Sequence, residues 1–411
     1  MSQLDFDAVI VGAGPAGTAT AIHLTRLGFS VGLFDKAQFP RDKTCGDGLT
    51  TLALRELESL GFQPAVVPSW TTVTEAVLHS PYRHIVSLPL PRGPGVFAAV
   101  TRRMELDDAL LQTAIETGVQ FFPGASLTSA SQDATAVKLG FSNLGEVSAR
   151  WAIGADGMWS PLARMLGAAQ SGYRGEWHAF RQYFTNTAPG SSNLHIWFEP
   201  DLLPGYVWSF PVGENGANVG FGVLRGERMK GAELARLWPE LLKRPAILRV
   251  LGTHAEPEDT HRAWPIPAGV TAATPTWGRF LFVGDAVRAG DVLTGEGIGQ
   301  ALLSGRLAAD AVGLTQGSSP TVDEVQTVAL AYEKALQQTL FADARMASLL
   351  NKIIAAPWRA ETAIRVIGLS LWNRQQFARW LFEDSPRGIA FMPSHWKRGA
   401  LSGPAAFAPR N

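Results

Sequence analysis

The chain has 411 residues, enough for a large core divided between two or more lobes. Lys plus Arg and Asp plus Glu balance at 36 each, so no bulk field directs the protein to nucleic acid. A single cysteine, Cys45, excludes an intramolecular disulfide framework and points to a reducing, cytoplasmic setting.

No apolar run approaches the roughly 20 residues that span a bilayer. Polar Asp5 and Asp7 lead directly into the first strand, so no signal peptide is expected. That strand, residues 8–11, is an unbroken apolar run suited to the middle of a parallel sheet. Gly12, Gly14 and Gly17 follow in G-x-G-x-x-G spacing, with Pro15 and Ala16 between them, and a helix runs over 18–27 to Gly28. The first glycine permits a tight turn, the second lets the backbone approach a pyrophosphate, and the third lets helix and strand pack closely. A second strand over 30–34 ends at Asp35, where a carboxylate can accept from a ribose hydroxyl, with Lys36 beside it. Strand, turn, helix, strand and acid in this order predict dinucleotide binding.

Residues 39–50 form a loop in which Gly46 and Gly48 flank Asp47 beside Cys45, a backbone that bends tightly near something flat or bulky. A helix resumes over 52–60. Residues 72–78 and 85–88 read as a hairpin leaving the first domain. Arg103 and Asp107 open a helix that runs to about Gly118, and a strand over 152–156 returns to the nucleotide domain at Asp156. From about Tyr173 to Ala268 the pattern becomes strand-like alternation with Gly and Pro turns, an antiparallel sheet. Within it Tyr206, Trp208 and Phe210 alternate and share one face of a strand, serving either as core packing or as one wall of an apolar pocket. Residues 280–286 read as a further buried strand, with Gly284 and Asp285 at the end where doubly wound sheets bind ligands. Gly295, Gly297 and Ile298 then open a helix over 300–312. Beyond Pro320 the chain is helical to about Phe382. Met346, Leu349, Leu350 and Ile353 fall on one face there, and Phe377, Trp380 and Leu381 on another, as core or as a surface for lipid. The tail after Pro386 reads as irregular. No metal-ligating pattern is expected.

Three distant segments, 12–35, 154–157 and 284–297, together resemble FAD-dependent oxidoreductases of the aromatic-hydroxylase superfamily. Two more narrow the resemblance. Residues 40–48 are similar to the P-x-x-K-x-C-G-G element of the geranylgeranyl reductase family, and 204–211 to its Y-x-W-x-F-P element. The bacterial menaquinone-tail reductases look most alike, because their cysteine element also carries C-G-D-G. Asp47 replaces the second glycine of the general pattern, and Val292 stands where many relatives have proline before G-E-G.

The resemblance implies an α/β fold. A Rossmann-like FAD-binding domain takes 1–72, 100–168 and 275–315; an antiparallel β-sheet substrate domain takes 73–99 and 169–274; a C-terminal helical region with an irregular tail takes 316–411. It implies FAD contacts from Gly12, Gly14, Pro15, Ala16, Gly17, Asp35, Lys36, Cys45, Gly46, Asp47, Arg103, Asp156, Gly284, Asp285, Gly295, Gly297 and Ile298. It also implies a prenyl-lipid substrate whose double bonds are saturated, with peripheral association at the inner face of the membrane. NAD(P)H or a protein would donate the electrons; the oligomeric state is left open.

An isolated alkene has no carbonyl to accept charge, so reduction needs a proton as well as a hydride. Cys45, Asp47 and Tyr206 are the candidate proton donors. Tyr206, Trp208 and Phe210 would line the substrate pocket, their π faces each worth about 0.5–2 kcal/mol to a desolvated cation, with Trp208 counted among the catalytic candidates. The helix opening at 295–297 is expected to aim its positive end at the flavin. The competing expectation is a flavin-dependent monooxygenase or halogenase, against which Tyr206-Val207-Trp208 stands where halogenases usually carry Trp-x-Trp.

Overall fold

The computed structural model describes residues 4–91, 94–226, 231–315, 321–384 and 405–408, so most of the tail after Pro386 lies outside the described residues. The strand Phe6–Val11 is buried along nearly its whole length and is flanked on both sides by parallel partners, Val31–Asp35 and Gly145–Gly154. Gln120–Pro123 and Phe280–Phe282 extend this sheet in parallel at either side. The helix Pro15–Arg26 packs against Ile298–Val312. A Cβ at Gly305 would lie 2.5 Å from the Ala16 carbonyl oxygen, so only glycine allows that approach.

The second sheet runs Glu256–Pro257, Trp177–Thr185, Gly216–Leu224, Tyr206–Val212, Leu194–Trp197, Glu75–His79, Ile85–Pro89. It is antiparallel except where Leu194–Trp197 lies parallel to Glu75–His79. The hairpin Glu75–His79 and Ile85–Pro89 therefore belongs to the sheet formed by the later strands.

Two differences from the sequence expectation have local causes. Helices Gly231–Leu242 and Pro245–Leu251 interrupt the strand-rich stretch, since Trp238, Leu241, Ile247 and Leu251 form an apolar face that covers Phe180, Phe221 and Val219. The expected strand over 280–286 stops at Phe282, because Gly284 adopts φ +58° and turns the chain into a short 3-10 segment, Gly284–Val287. At the C-terminus, Val322–Leu336, Ala342–Ile354, Pro357–Gly368 and Leu371–Leu381 are helical, and the last two pack on Ile85–Pro89. Ile364, Ala378 and Phe382 join Val86, Leu88 and Leu194 in one apolar cluster. These helices close the space beside the second sheet. None of the described helices is long and apolar enough to cross a membrane.

Candidate active site

One continuous cavity of about 960 Å³ runs from the carboxyl ends of the parallel strands, past the Cys45 loop and the aromatic strand, to the C-terminal helices. Every FAD-contact residue expected from the sequence lines it except Gly17. A Cβ at Gly17 would sit 1.8 Å from the Gly12 carbonyl oxygen, so this glycine serves the packing beneath the loop. Gly12 holds φ +105°, and a Cβ there would lie 2.3 Å from the Ala155 carbonyl oxygen.

The nucleotide end of the cavity is shaped for a bound group. A Cβ at Gly14 would meet only the Arg41 guanidinium, at 3.5 Å, and one at Gly297 would meet nothing within 4 Å. The loop thus leaves a cradle that side chains would fill. Asp35 accepts from Ala13 N–H at 2.8 Å through Oδ2 and from Ala37 N–H at 2.8 Å through Oδ1. Each oxygen keeps a lone pair for a ribose hydroxyl. Asp107 binds Arg103 at 2.8 Å through each oxygen, and Arg41 Nη1 donates to its Oδ2 at 3.0 Å. Two guanidiniums are therefore held together at the cradle by one carboxylate. Asp285 pairs with Lys43 at 3.6 Å, while Asp156 accepts from Leu162 N–H at 2.9 Å and fixes the turn behind the site. This donor set fits FAD.

The Cys45 loop and the aromatic strand are tied together by Asn218. Its amide donates to the Cys45 carbonyl at 2.9 Å and to Asp47 Oδ2 at 2.8 Å, and its oxygen accepts from Trp208 Nε1 at 3.1 Å. Tyr183 also donates to Asp47 Oδ2, at 2.5 Å. Asp47 itself is fully buried at φ +66°. Burial raises its pKa to about 6, against the hydrogen bonds from Tyr183 and Asn218. Both donors use Oδ2, so a neutral carboxyl carries its proton on Oδ1, which has no partner among the described residues. Burial likewise pushes the Cys45 thiol up, keeping it a thiol despite the nearby Arg103.

The three rings of the aromatic row all line the cavity but differ in how far each is open to it. The Tyr206 hydroxyl donates to the Thr294 carbonyl, so its proton is committed to holding the flavin-side loop, and a role as acid would require breaking that bond. Trp208 is only 5% exposed. Its ring is covered by the backbone at Gly220, where a Cβ would come within 2.3 Å, and faces Gly46, where one would lie 3.6 Å away. Trp208 lines the cavity and also backs the Cys45 loop, while Tyr206 and Phe210 are more open to the cavity.

The loop 291–297 brings Gly295, Gly297 and Ile298 to the cavity wall. Glu296 Oε1 accepts from Ile298 N–H at 2.9 Å and Gly299 N–H at 3.4 Å, so the helix start is capped by the chain's own carboxyl. Burial, then the nearby Glu383, raises the Glu296 pKa well above its ordinary value. Asp291 Oδ1 accepts from the N–H groups of Leu293 and Thr294, at 2.9 and 2.7 Å, and sets the bend. Val292 contributes its carbonyl, which accepts from Trp177 Nε1 at 3.0 Å and from Asn351 at 2.6 Å.

Asn218, Tyr183, Arg41 and Glu296 were not singled out as site residues from sequence. Asn218 offered a signal as a lone amide in an otherwise apolar strand, and Glu296 as the acid of G-E-G.

The FAD binding domain family model matches residues 5–304. Menaquinone reductase of Mycobacterium tuberculosis (strain ATCC 25618 / H37Rv) is 35% identical over 326 residues, covering 74% of this chain and 76% of that protein. Digeranylgeranylglycerophospholipid reductase 1 of Methanopyrus kandleri is 32% identical over 322 residues, covering 75% and 80%. Among solved structures, a geranylgeranyl bacteriochlorophyll reductase-like protein from Thermoplasma acidophilum shares the fold at TM-score 0.77 and 20% identity, over 95% of this chain and 98% of that one. The flavin-dependent halogenase CmlS shares it at TM-score 0.68 and 24% identity, over 92% and 71%. The glycine cradle, the Cys45 loop and the relatives across three quarters of the sequence agree: the chain belongs to the geranylgeranyl reductase family of FAD-binding oxidoreductases.

Proposed function

We propose that the protein is an FAD-dependent reductase that saturates carbon–carbon double bonds in the prenyl chain of a lipid, a menaquinone tail being the substrate most in keeping with its relatives. The observation that carries this is the composition of the cavity's far arm. Beyond Tyr206 and Phe210 it is lined by Leu78, Leu194, Ile196, Ile364, Ile367 and Phe377, with no charged side chain among them. A hydrocarbon chain gains roughly 25 cal/mol per Å² of apolar surface on entering such a space, which gives affinity without a polar handle.

FAD, once reduced, supplies the hydride. The chain's residues do the rest. The Gly14 cradle with Arg41 and Arg103 would hold the pyrophosphate, and Asp35 the ribose. The Cys45 loop, fixed by Asn218, sets where the alkene meets the cofactor. One hydride and one proton add across the double bond, so the product gains two hydrogens. Asp47, protonated up to about pH 6, and the Cys45 thiol are the groups that hold a proton at this junction. The open face of Tyr206 supports positive charge on the reacting carbon. Electrons for each turnover would come from a nicotinamide or a protein donor. The substrate dissolves in the bilayer, so the enzyme works as a peripheral protein at the inner membrane face.

The direct test follows the bound cofactor spectroscopically. Anoxic enzyme bleached with dithionite should regain its oxidised absorbance when a prenylated quinol is added, with no oxygen present. Absorbance that returns only on admitting air would remove the reading in favour of an oxygen-using enzyme.

A further inference from the structure

We propose that the outer face of the helix Pro357–Gly368, with the turn that follows it, is the seat of an anionic lipid bilayer. This rests on the prenyl-lipid reading above and adds the partner and the face.

That helix is apolar on two opposite sides. Its inner side carries Ala360, Ala363, Ile364 and Ile367, all of which line the cavity. Projected at about 100° per residue, Trp358, Leu369 and Val366 fall together on the other side, with Arg365 bounding them on one edge and Arg359 on the other. Trp358 is 60% exposed, Val366 52%, Leu369 76%, Leu371 53% and Trp372 67%. The surface continues onto the hairpin turn of the second sheet. Tyr82 N–H donates to Glu361 at 3.1 Å, and Tyr82 and Ile85 are themselves exposed. Large apolar side chains gathered at one corner are more than the scattered exposure normal for a protein surface.

Charge decides what covers them. Among the described residues 344–382 the exposed charges are Arg345, Lys352, Arg359 and Arg365, all positive. The lone acid of that stretch, Glu361, is buried and bound to Arg365 at 2.6 Å. The chain as a whole has zero net charge, so this excess is local. Tryptophan and leucine within a cationic rim match a bilayer with anionic headgroups, where rings insert and arginines meet phosphates. A second copy of the same face would set cation against cation. The inner side of the same helix lines the cavity, so the seat places the apolar arm next to the membrane that holds the tail.

The test uses FAD-loaded protein floated with vesicles of phosphatidylcholine alone, or mixed with phosphatidylglycerol. The parent should float with the anionic vesicles and release in high salt. Lys352→Glu with Arg359→Glu should weaken binding about fivefold for each cation lost, and Leu369→Glu with Trp372→Glu should abolish it. All variants should keep parental turnover of a short, detergent-dissolved prenyl substrate while losing turnover of the same tail in vesicles. Equal binding to neutral vesicles, no flotation, or a dimer that Leu369→Glu with Trp372→Glu dissociates would overturn the proposal. Absent turnover of the dissolved substrate by the parent would instead remove the reductase reading and leave the flotation result standing.

Discussion

Asn218 and Asp47, 171 residues apart in sequence, are joined by a 2.8 Å hydrogen bond from amide to carboxyl. The same amide holds the Cys45 carbonyl and, through its oxygen, the Trp208 indole. One buried side chain therefore sets the position of the cysteine loop relative to the aromatic strand.

Asn218→Leu should remove these bonds without emptying the site. Three buried polar groups lose a partner, each worth about 1–3 kcal/mol when left unsatisfied. The expected outcome is a folded protein several degrees less stable, with FAD retained and turnover down at least tenfold. Thermal unfolding and flavin content measured on one preparation check it. Unchanged turnover would show that the loop is placed by other contacts.

The pH dependence of Asp47 has a definite sign. The folded carboxyl keeps its proton up to about pH 6, whereas the unfolded one loses it near 3.8. Between those values the folded state binds more protons, so Asp47 lowers stability as pH rises through the window and adds no further loss above it. The accumulated loss is roughly 3 kcal/mol. Asp47→Asn tolerates the positive φ and removes the titration. Urea unfolding of both proteins from pH 4 to 7.5 should show the parent falling relative to the variant, then running parallel above pH 6. Parallel curves throughout would mean the carboxyl ionises normally.

Arg41 lies over the glycine loop and is fixed by Asp107 at 3.0 Å. Arg41→Ala should leave the fold intact and weaken FAD binding about ten- to a hundredfold, the loss of one charge-assisted contact to a phosphate. Flavin released on dilution measures it. Retention at the parental level would assign the pyrophosphate to Arg103 and the backbone alone.

The nucleotide half of the site was legible because its signals are local: glycines, strand end and acid lie within 24 residues, from Gly12 to Asp35. The Tyr206–Trp208–Phe210 row was legible as alternation, but its roles were not. Which ring is covered depends on Gly46 and Gly220, brought there by strand pairing and loop closure. Asn218 escaped for the same reason, as two of its partners, Cys45 and Asp47, come from the far N-terminal lobe. The helix start near Ile298 is legible from its glycines, whereas the fold-back of Glu296 onto the Ile298 N–H is not. On the helix Ala342–Ile354 the expected single apolar face divides: Leu349 is 50% exposed, whereas Leu350 faces the cavity. Periodicity finds such a stripe; only packing decides which part turns inward.

The proposed reaction is the delivery of hydrogen to a prenyl double bond in this cavity. The mass of the product formed by dithionite-reduced enzyme from a prenylated quinol under strict anoxia measures it, because the headgroup is already reduced and only the tail can gain hydrogen. The expected product has a tail heavier by two hydrogens per bond reduced, with no oxygen incorporated, and forms more slowly with Cys45→Ala while FAD stays bound. A product that forms only in air and carries an added oxygen or halogen atom would contradict it.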